Sequence, residues 1–548
     1  MACVPAIKHD DSIPVNSIHN QINNIHIIDK PTHNDSIINE SKLGESNDNL
    51  FSDRQASHIV DVHVAVVGNV DSGKSTLIGT LISGQQDDGR GKSRSKVFIH
   101  AHEHQNGRTS AVSQHIMGFS SQSIPVHQSI PANASSNQKT KAWSNVVHNS
   151  KSIITFVDLP GHERYLKTTI GGLTGLYPDY VFVIINSLAG ITKMTKEHLG
   201  CAIALNLRLV IIVTKIDLVP SNVLDDSKKQ IDRVLKSAQA KKLPIHVKTS
   251  KDIDTCISNN TSTRICPIFY ISSVSGIGLD LLYNYLSLLT PRTNWSANID
   301  KPAEFSIDET FLVSGVGVVV SGTLKSGTLS VGDSMVLGPS DNSNEPWRSV
   351  LVRSIHCKRV SVDSISAGNS CALSIRATKS KDVLKRTQIR RGMHLLHPSI
   401  VPKASRVFEA EVVVLHHPTT IRLGYQAVVH CNVVRQTASI VYISAEQLRT
   451  GDRATCRFRF LMREEYIHTG TIFVFREGNC RAVAKITKTQ HEMSADDVTA
   501  CLNHHDPTLK TRLRLNNQNA AHNDTSNNTH DEEKQQSENN TPKSTVKR

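Results

Sequence analysis

Apolar and polar positions divide the chain into stretches of different texture. DVHVAVVG (61–68) is a strand-length apolar run closing on glycine, and KSTLIGTLI (74–82) follows with the apolar spacing of a helix packed on a sheet. Further buried-strand runs stand at SIITFVD (152–158), YVFVII (180–185), RLVIIV (208–213) and PIFYIS (267–272), with helical segments around 162–172, 192–206, 222–240 and 278–289. Strands alternating with helices predict a mainly parallel sheet covered on both faces. After Pro291 the texture changes: residues 305–338 form short β-rich runs punctuated by glycine, with no helix between them, which predicts a β-barrel. A second all-β stretch runs from Phe408 to about Lys488, with strands expected at EAEVVVL, QAVVHCNVV, RATCRFRFL and TIFVFRE and a linker near Pro398 to Ser405.

The ends differ from this interior. Residues 1–57 are rich in Asn, Ser, His and Asp and hold no sustained period, so a disordered leader is expected there. From 494 to 548 a short helical start gives way to a polar run ending NNTPKSTVKR, expected to be mostly disordered because it buries too little apolar surface to offset ordering entropy. The expected layout is therefore an α/β domain over 58–295 with a polar insertion, a β-barrel over 300–400, a second over 405–490, and two tails.

Composition agrees with several domains, since 548 residues with 38% hydrophobic content exceed one ordinary core. A formal charge of +13 favours a polyanionic partner without naming one. The 10 cysteines are scattered, with no C-x-x-C pair, as suits a reducing compartment. The start MACVPAIKHDDSIPV lacks the features of a secretory leader, and apolar runs are too short to cross a bilayer. A monomer in the cytoplasm, without membrane insertion, is the expected state.

Candidate chemistry begins at GNVDSGKS (68–75), which matches G-x-x-x-x-G-K-[ST] in full between a strand and a helix. In such a P-loop Gly68, Asn69, Val70, Asp71, Ser72, Gly73 and Thr76 present backbone to phosphate oxygens. Lys74 reaches the β- and γ-phosphates, and Ser75 offers a hydroxyl to Mg²⁺. DLPGH (158–162) follows a buried strand, where Asp158 can hold the Mg²⁺ shell through water and Gly161 can bring its N–H to the γ-phosphate. TKID (214–217) supplies Asp217, whose carboxylate accepts from the guanine N1–H and exocyclic amine. Lys215 lies along the base, and Thr214 replaces the more familiar Asn of N-K-x-D. SSVSG (272–276) then places Ser272, Ser273 and Val274 by the guanine carbonyl. The ligands expected are GTP and GDP with Mg²⁺. Inside the polar insertion, NGRTSAVSQHIMGF (106–119) contains Thr109, the candidate for a second Mg²⁺ hydroxyl ligand on a nucleotide-ordered switch.

Taken in order, these motifs resemble those of translational GTPases, in particular the family of GTP-binding protein 1 and GTP-binding protein 2. The strings GRGKSRSKVFIHAHE, VDLPGHERYLKTT, GITKMTKEHLG, FEAEVVVLHHPTTI, VHCNVVRQTA and VFREGNCRAV extend the likeness over about residues 58–490. The resemblance implies an elongation-factor-like arrangement, a P-loop GTPase domain followed by two β-barrels. It also implies GTP hydrolysis, aminoacyl-tRNA and ribosome engagement in elongation or translation surveillance, and a link to mRNA decay. It marks TKID as the family's own form, Thr109 as the switch threonine and His162 as the histidine that positions the attacking water. Val70 becomes an apolar gate beside that histidine.

Two other classes compete with a tRNA-handling GTPase. One is a sulfate-activation-type GTPase subunit, which HHPTT and VHCNVVRQTA disfavour. The other is a GTP-regulated adaptor for RNA-decay machinery that barely turns over, which an intact His162 disfavours. Three weaker signals accompany these motifs. His100, His102 and His104 share one face if HAHEH is extended, but no completing ligand set accompanies them. Arg435, Arg449, Arg453, Arg457, Arg459, Arg476, Arg481 and Lys485 give the last barrel a basic cast that can meet RNA phosphate, with a solvated surface as the plainer reading. The stretch SQSIPVHQSIPANASSNQKTKAW, low in apolar content, carries no legible fold.

Overall fold

Strand β1 (Val60–Gly68) lies inside an eight-stranded sheet because its side chains feed two cores at once. Val62, Val64 and Val66 enter one apolar cluster, while Ala65 and Val67 enter the cluster on the opposite face. The computed structural model describes residues 59–129, 135–238, 240–341, 345–379, 383–478 and 480–503. The expected leader (1–57) and the tail beyond 503 lie outside them. Among the described residues no helix is long and apolar enough to cross a membrane.

The sheet also contains β2 (Ser113–Phe119), β3 (Pro125–Val126), β4 (Ser152–Asp158), β5 (Tyr180–Asn186), β6 (Arg208–Thr214), β7 (Leu243–His246) and β8 (Ile265–Tyr270). Its order is β3-β2-β4-β1-β5-β6-β8-β7. Pairings from β4 through β7 are parallel, as the alternation of strands and helices predicts. The edge differs: β2 runs antiparallel to β4, and β3 antiparallel to β2. The insertion is thus partly built into the sheet rather than left as a polar loop.

Helices α1 (Lys74–Ser83), α2 (Lys92–Ser95), α3 (Ala101–Asn106), α4 (Ser136–Asn149), α5 (Leu166–Gly175), α6 (Lys193–Ala204), α7 (Ser221–Leu235), α8 (Ser250–Ser258) and α9 (Leu279–Ser287) surround it. HAHEH is not extended: α3 begins at Ala101, and the His100 and His102 rings stack with centroids 5.2 Å apart. The low-apolar stretch (121–143) runs into α4, which is capped by the Ser135 side chain and buries Trp143, Val146 and Val147. These three share an apolar cluster with barrel residues Phe305, Val352 and Val362. Polar composition concealed a helix that joins the α/β region to the next domain.

The first all-β region comprises β9 (Glu304–Val313), β10 (Gly317–Ser326), β11 (Thr328–Ser330), β12 (Ser334–Gly338), β13 (Arg348–Cys357), β14 (Val360–Val362), β15 (Ser364–Ser366), β16 (Ser370–Ala377) and β17 (His394–Leu396). The run β12-β17-β9-β10-β16-β13 is closed by an added pairing of β12 with β13. The second is a closed six-stranded barrel, β18 (Val407–His416), β21 (Arg453–Phe460), β20 (Val434–Ile443), β19 (Gln426–Cys431), β22 (Ile472–Glu477) and β23 (Cys480–Thr489). Phe408, Phe458, Phe460, Phe473 and Phe475 fill its interior. Helix α10 (Ala495–Asn503) realises the expected helical start of the tail and packs on the barrel through Cys501.

Candidate functional site

The parallel strands β1, β4, β5, β6 and β8 deliver their carboxyl ends to one edge of the sheet, where an open α/β fold places ligands. There the GNVDSGKS loop turns tightly into α1. Gly73, with φ 89°, caps the helix in a left-handed conformation that a side chain resists. The loop also binds itself: Asn69 Oδ1 accepts from the Val70 N–H at 2.9 Å, and Ser72 Oγ donates to the Asn69 carbonyl at 2.8 Å. Lys74 folds back over it, its Nζ donating to the Gly68 and Asn69 carbonyls at 3.3 and 2.8 Å. Burial pushes the Lys74 ammonium's pKa down, against the pull of Asp158 and Asp71.

Three segments distant in sequence meet at Ser75. Its Oγ donates to Asp158 Oδ2 at 2.6 Å and lies 2.7 Å from Thr109 Oγ1, which is 3.1 Å from the same carboxylate oxygen. Two hydroxyl protons cannot serve all three contacts at once. Burial pushes the Asp158 carboxyl pKa up, with Lys74 opposing, and Oδ1 is buried with no partner among the described residues. Converging oxygens with protons in short supply are the donor set a small hard divalent cation takes, so the residues fit Mg²⁺.

Gly161 brings the following turn against the loop. A Cβ there would lie 2.5 Å from the Gly68 carbonyl oxygen and 2.6 Å from Lys74 Nζ, so a larger residue would force the two apart. His162 is exposed, and its Nδ1 accepts from the Arg164 N–H at 3.1 Å. The neutral tautomer that accepts at Nδ1 carries its proton on Nε2. A cavity of about 470 Å³ spans this region, lined by Val70, Asp71, Gly73, Lys74, Ser75, Thr76, Thr109, Gly161 and His162.

The base-reading candidates lie beyond that cavity, at the ends of β6 and β8. Thr214 Oγ1 donates to the Ser72 carbonyl at 2.7 Å, tying TKID to the phosphate loop. Lys215 adopts φ 60°, with its carbonyl held by Ser187 Oγ at 2.8 Å, and Asp217 is exposed in the short turn that follows. Ser272 is buried, and its Oγ accepts from the Val274 and Ser275 N–H groups at 3.3 and 3.1 Å, shaping the SSVSG turn. The Ser273 carbonyl takes the Asp87 N–H at 2.8 Å.

Glu103 was not among the sequence candidates. Its Oε1 accepts from the Ser110 N–H at 2.7 Å, Ser110 Oγ at 2.9 Å and the Ala111 N–H at 3.3 Å. Its Oε2 accepts from the Ile99 and His100 N–H groups at 3.0 and 3.2 Å. A lone glutamate in a polar run gives no pattern signal. Arg94, Arg164 and Tyr165, which also line the cavity, went unmarked for the same reason, and His102, read as part of a possible metal set, lines it too. The basic cast of the last barrel is partly consumed inside the fold. Arg457 pairs with Glu409 and Asp497, while Arg476 and Arg481 both pair with the buried Glu197 of α6. Those three serve packing and domain contact instead of an open phosphate-binding face.

Comparison with known proteins adds independent findings. The family model described as "Elongation factor Tu GTP binding domain" matches residues 61–292. The chain is 46% identical over 429 residues to GTP-binding protein 1 of Xenopus laevis, covering 78% of this chain and 63% of that protein. It is 40% identical over 436 residues to GTP-binding protein 2 of Homo sapiens, covering 79% and 70%. The match therefore spans somewhat less than two thirds of the first relative's length. Among solved structures, translation elongation factor SelB from Methanococcus maripaludis, in complex with the GTP analogue GPPNHP, aligns with a TM-score of 0.55. It does so at 16% identity over 80% of this chain and 81% of that one, a likeness of fold.

Proposed function

Because this chain belongs to the GTP-binding protein 1 and GTP-binding protein 2 family of elongation-factor-like GTPases, we propose that it binds and hydrolyses GTP to engage aminoacyl-tRNA on ribosomes. The setting is elongation or translation surveillance, in the cytoplasm and as a monomer. The observation that carries this reading is the meeting of Ser75, Thr109 and Asp158 within 3.1 Å, which joins P-loop, switch segment and DLPGH turn at one point.

In this reading the backbone N–H groups of residues 69–76 and the Lys74 ammonium cradle the phosphates, displacing the lysine from the Gly68 and Asn69 carbonyls it now holds. Ser75 and Thr109 would hold Mg²⁺ directly and Asp158 through water, and the ion would supply charge that neutralises the phosphates. Gly161 offers its N–H to the γ-phosphate. His162, with its proton on Nε2, orients water at the cavity mouth without needing to be a strong base. Asp217 accepts from the two guanine donors that adenine lacks, Lys215 flanks the base, and Ser272, Ser273 and Val274 face the guanine carbonyl.

Binding to aminoacyl-tRNA, measured with GTP, GDP and no nucleotide, tests the proposal. Tighter binding in the GTP state is the expected result. Equal binding in all three states would refute the tRNA-carrier reading and favour the GTP-regulated adaptor for RNA decay.

A further inference from the structure

Three arginines of the phosphate cavity, Arg94, Arg108 and Arg164, have no role in the reading above, and of these Arg94 alone is half-buried while the other two are exposed. Arg94 lies on α2, is half-buried and lines the same cavity as Lys74, Ser75, Thr109 and His162. Among the described residues its guanidinium makes no hydrogen bond and no ion pair. Nearby carboxylates are committed elsewhere. Asp87 accepts from the Ser93 and Gly89 N–H groups at 2.8 and 3.1 Å, and Asp88 from those of Arg90 and Lys92 at 2.9 and 3.1 Å. These bonds fix the turn that carries Arg94 and leave its charge unneutralised.

Arg94 is nonetheless held in place. A Cβ on Gly91 would lie 2.3 Å from its Nε, and one on Gly107 would lie 3.2 Å from its Nη2, so the guanidinium rests between two bare backbone surfaces. A Cβ on Gly79 would lie 2.0 Å from the Ser93 carbonyl oxygen, so α2 is pressed directly onto α1, the helix that begins at Lys74. Arg94 is thus anchored from the P-loop side, while Gly107 covers it from the switch segment two residues before Thr109. Arg108, by contrast, faces Asp71 at 3.9 Å, with both side chains 61% exposed. A guanidinium held without a counter-ion in the cavity that Lys74 and Ser75 also line matches the planar, multi-donor recognition of a phosphoryl group.

We propose that Arg94 is an internal arginine for the terminal phosphate: its N–H groups contact the γ-phosphoryl oxygens when the Thr109 segment is closed. The proposal rests on the GTPase reading above. In hydrolysis a water oxygen bonds to the γ-phosphorus as the bond to the β,γ-bridging oxygen breaks. Both electrons of that bond leave on GDP, and the water protons pass to inorganic phosphate and solvent. As that bond breaks, charge moves onto the departing bridging oxygen and is shared with the γ-phosphoryl oxygens, so a guanidinium fork spanning them acts more strongly on the transition state than on bound GTP.

The test compares full-length wild type, Arg94→Ala and Arg94→Lys in affinity for GDP and GPPNHP and in single-turnover GTP hydrolysis, with and without ribosomes. For Arg94→Ala, GDP affinity within about twofold of wild type, weaker GPPNHP binding and hydrolysis slowed at least about 100-fold are expected, in line with arginines that act on phosphoryl transfer. Arg94→Lys, which keeps charge and packing but loses the fork, should fall between. Unchanged hydrolysis in Arg94→Ala overturns the proposal. An equal loss of GDP and GPPNHP affinity also overturns it, by showing a merely structural role. A wild-type chain that neither binds nor hydrolyses GTP refutes the underlying GTPase reading, and Arg94 falls with it.

Discussion

Lys358 Nζ lies 2.7 Å from Asp61 Oδ2, tying the hairpin tip between β13 and β14 to the start of β1. Asp61 also accepts from Thr155 Oγ1 at 2.7 Å and faces His63 Nε2 at 2.9 Å. The other His63 ring nitrogen faces the Leu176 carbonyl at 3.2 Å, so both nitrogens meet acceptors and the charged imidazolium is favoured. Lys358 and Arg359 hold left-handed conformations, with φ 52° and 66°, that ordinary side chains resist. Tertiary contacts sustain them: the Asp61 pair for one, and a stack of Arg359 over Trp143 of α4, 5.0 Å from the ring centroid, for the other.

Removing one member of this buried cluster leaves uncompensated charge. Asp61→Asn strands Lys358 and protonated His63, and a loss of about 3–5 kcal/mol in unfolding free energy is expected. Burial pulls the His63 pKa down, but Asp61 overcomes it, with Lys358 opposing and Asp179 adding to the rise, so the folded value lies above 6.5. Its stabilisation is therefore complete below pH 6.5 and is lost as pH rises through the folded value. Asp61 is held well below the ordinary carboxylate range by Lys358 and His63 against the effect of burial. Its contribution is lost only as pH falls below 3.8 toward that depressed value. Urea unfolding of wild type and His63→Gln across neutral to mildly alkaline pH checks the histidine term. Identical slopes in the two proteins would exclude it.

Glu103 joins residues 99–100 to residues 110–111, bracketing Thr109. Burial raises its carboxyl pKa, but the N–H groups of Ser110, His100 and Ile99 outweigh it, and the net value is lowered. Glutamine is no conservative replacement, because one carboxylate oxygen becomes an NH₂ group facing N–H donors. Glu103→Gln should weaken closure of the segment by about 2 kcal/mol, or roughly 30-fold in the closed-to-open ratio. Faster amide exchange at residues 99–111, with GDP affinity preserved, is the expected readout. Wild-type protection in the variant would show that another group closes the loop.

The parts of the fold legible in the sequence are those where burial writes a period. β4, β5 and β6 are covered on both faces, so they read as unbroken apolar runs, and the phosphate loop follows from spacing between a strand and a helix. β2 was hidden because SQHIMGF mixes polar residues and glycine, and its strand form comes from pairing with β4. In α4 the apolar set Ala142, Trp143, Val146 and Val147 occupies only the end of a polar run, and its partner surface is a barrel that begins beyond Pro291. Glu197 shows the same limit in the site's surroundings. Nothing near it in sequence announces Arg476 and Arg481, which only the docked barrel brings to it.

Base selection gives a sharper chemical test, because Asp217 is exposed and a change there should leave the fold intact. Asp217→Asn replaces one acceptor oxygen with a donor amide, opposing the guanine N–H donors and suiting the carbonyl of xanthine. Affinity for GTP should fall by about 100-fold or more, with affinity for xanthosine triphosphate rising. Competition binding with the two nucleotides checks this. An unchanged preference would remove Asp217 from the base-reading role.

Substitution at His162 tests binding and turnover separately. The histidine's Nδ1 is occupied by the Arg164 N–H, its ring lies edge-on to Tyr165 with centroids 6.3 Å apart, and it makes no hydrogen bond to Ser75, Thr109 or Asp158. His162→Ala should therefore leave GTP and GDP affinities near wild type. If Nε2–H positions water when the ribosome orders the turn, ribosome-stimulated hydrolysis should slow by roughly 100-fold, within the range for loss of one positioned donor. His162→Gln, which can place an amide donor near the same point, should recover part of that rate. The check is single-turnover hydrolysis at saturating GTP, with and without ribosomes. Equal stimulation of wild type and His162→Ala would assign the water to another group, whereas an equal fall in the unstimulated rate would place His162 in the intrinsic reaction rather than in the ribosomal response.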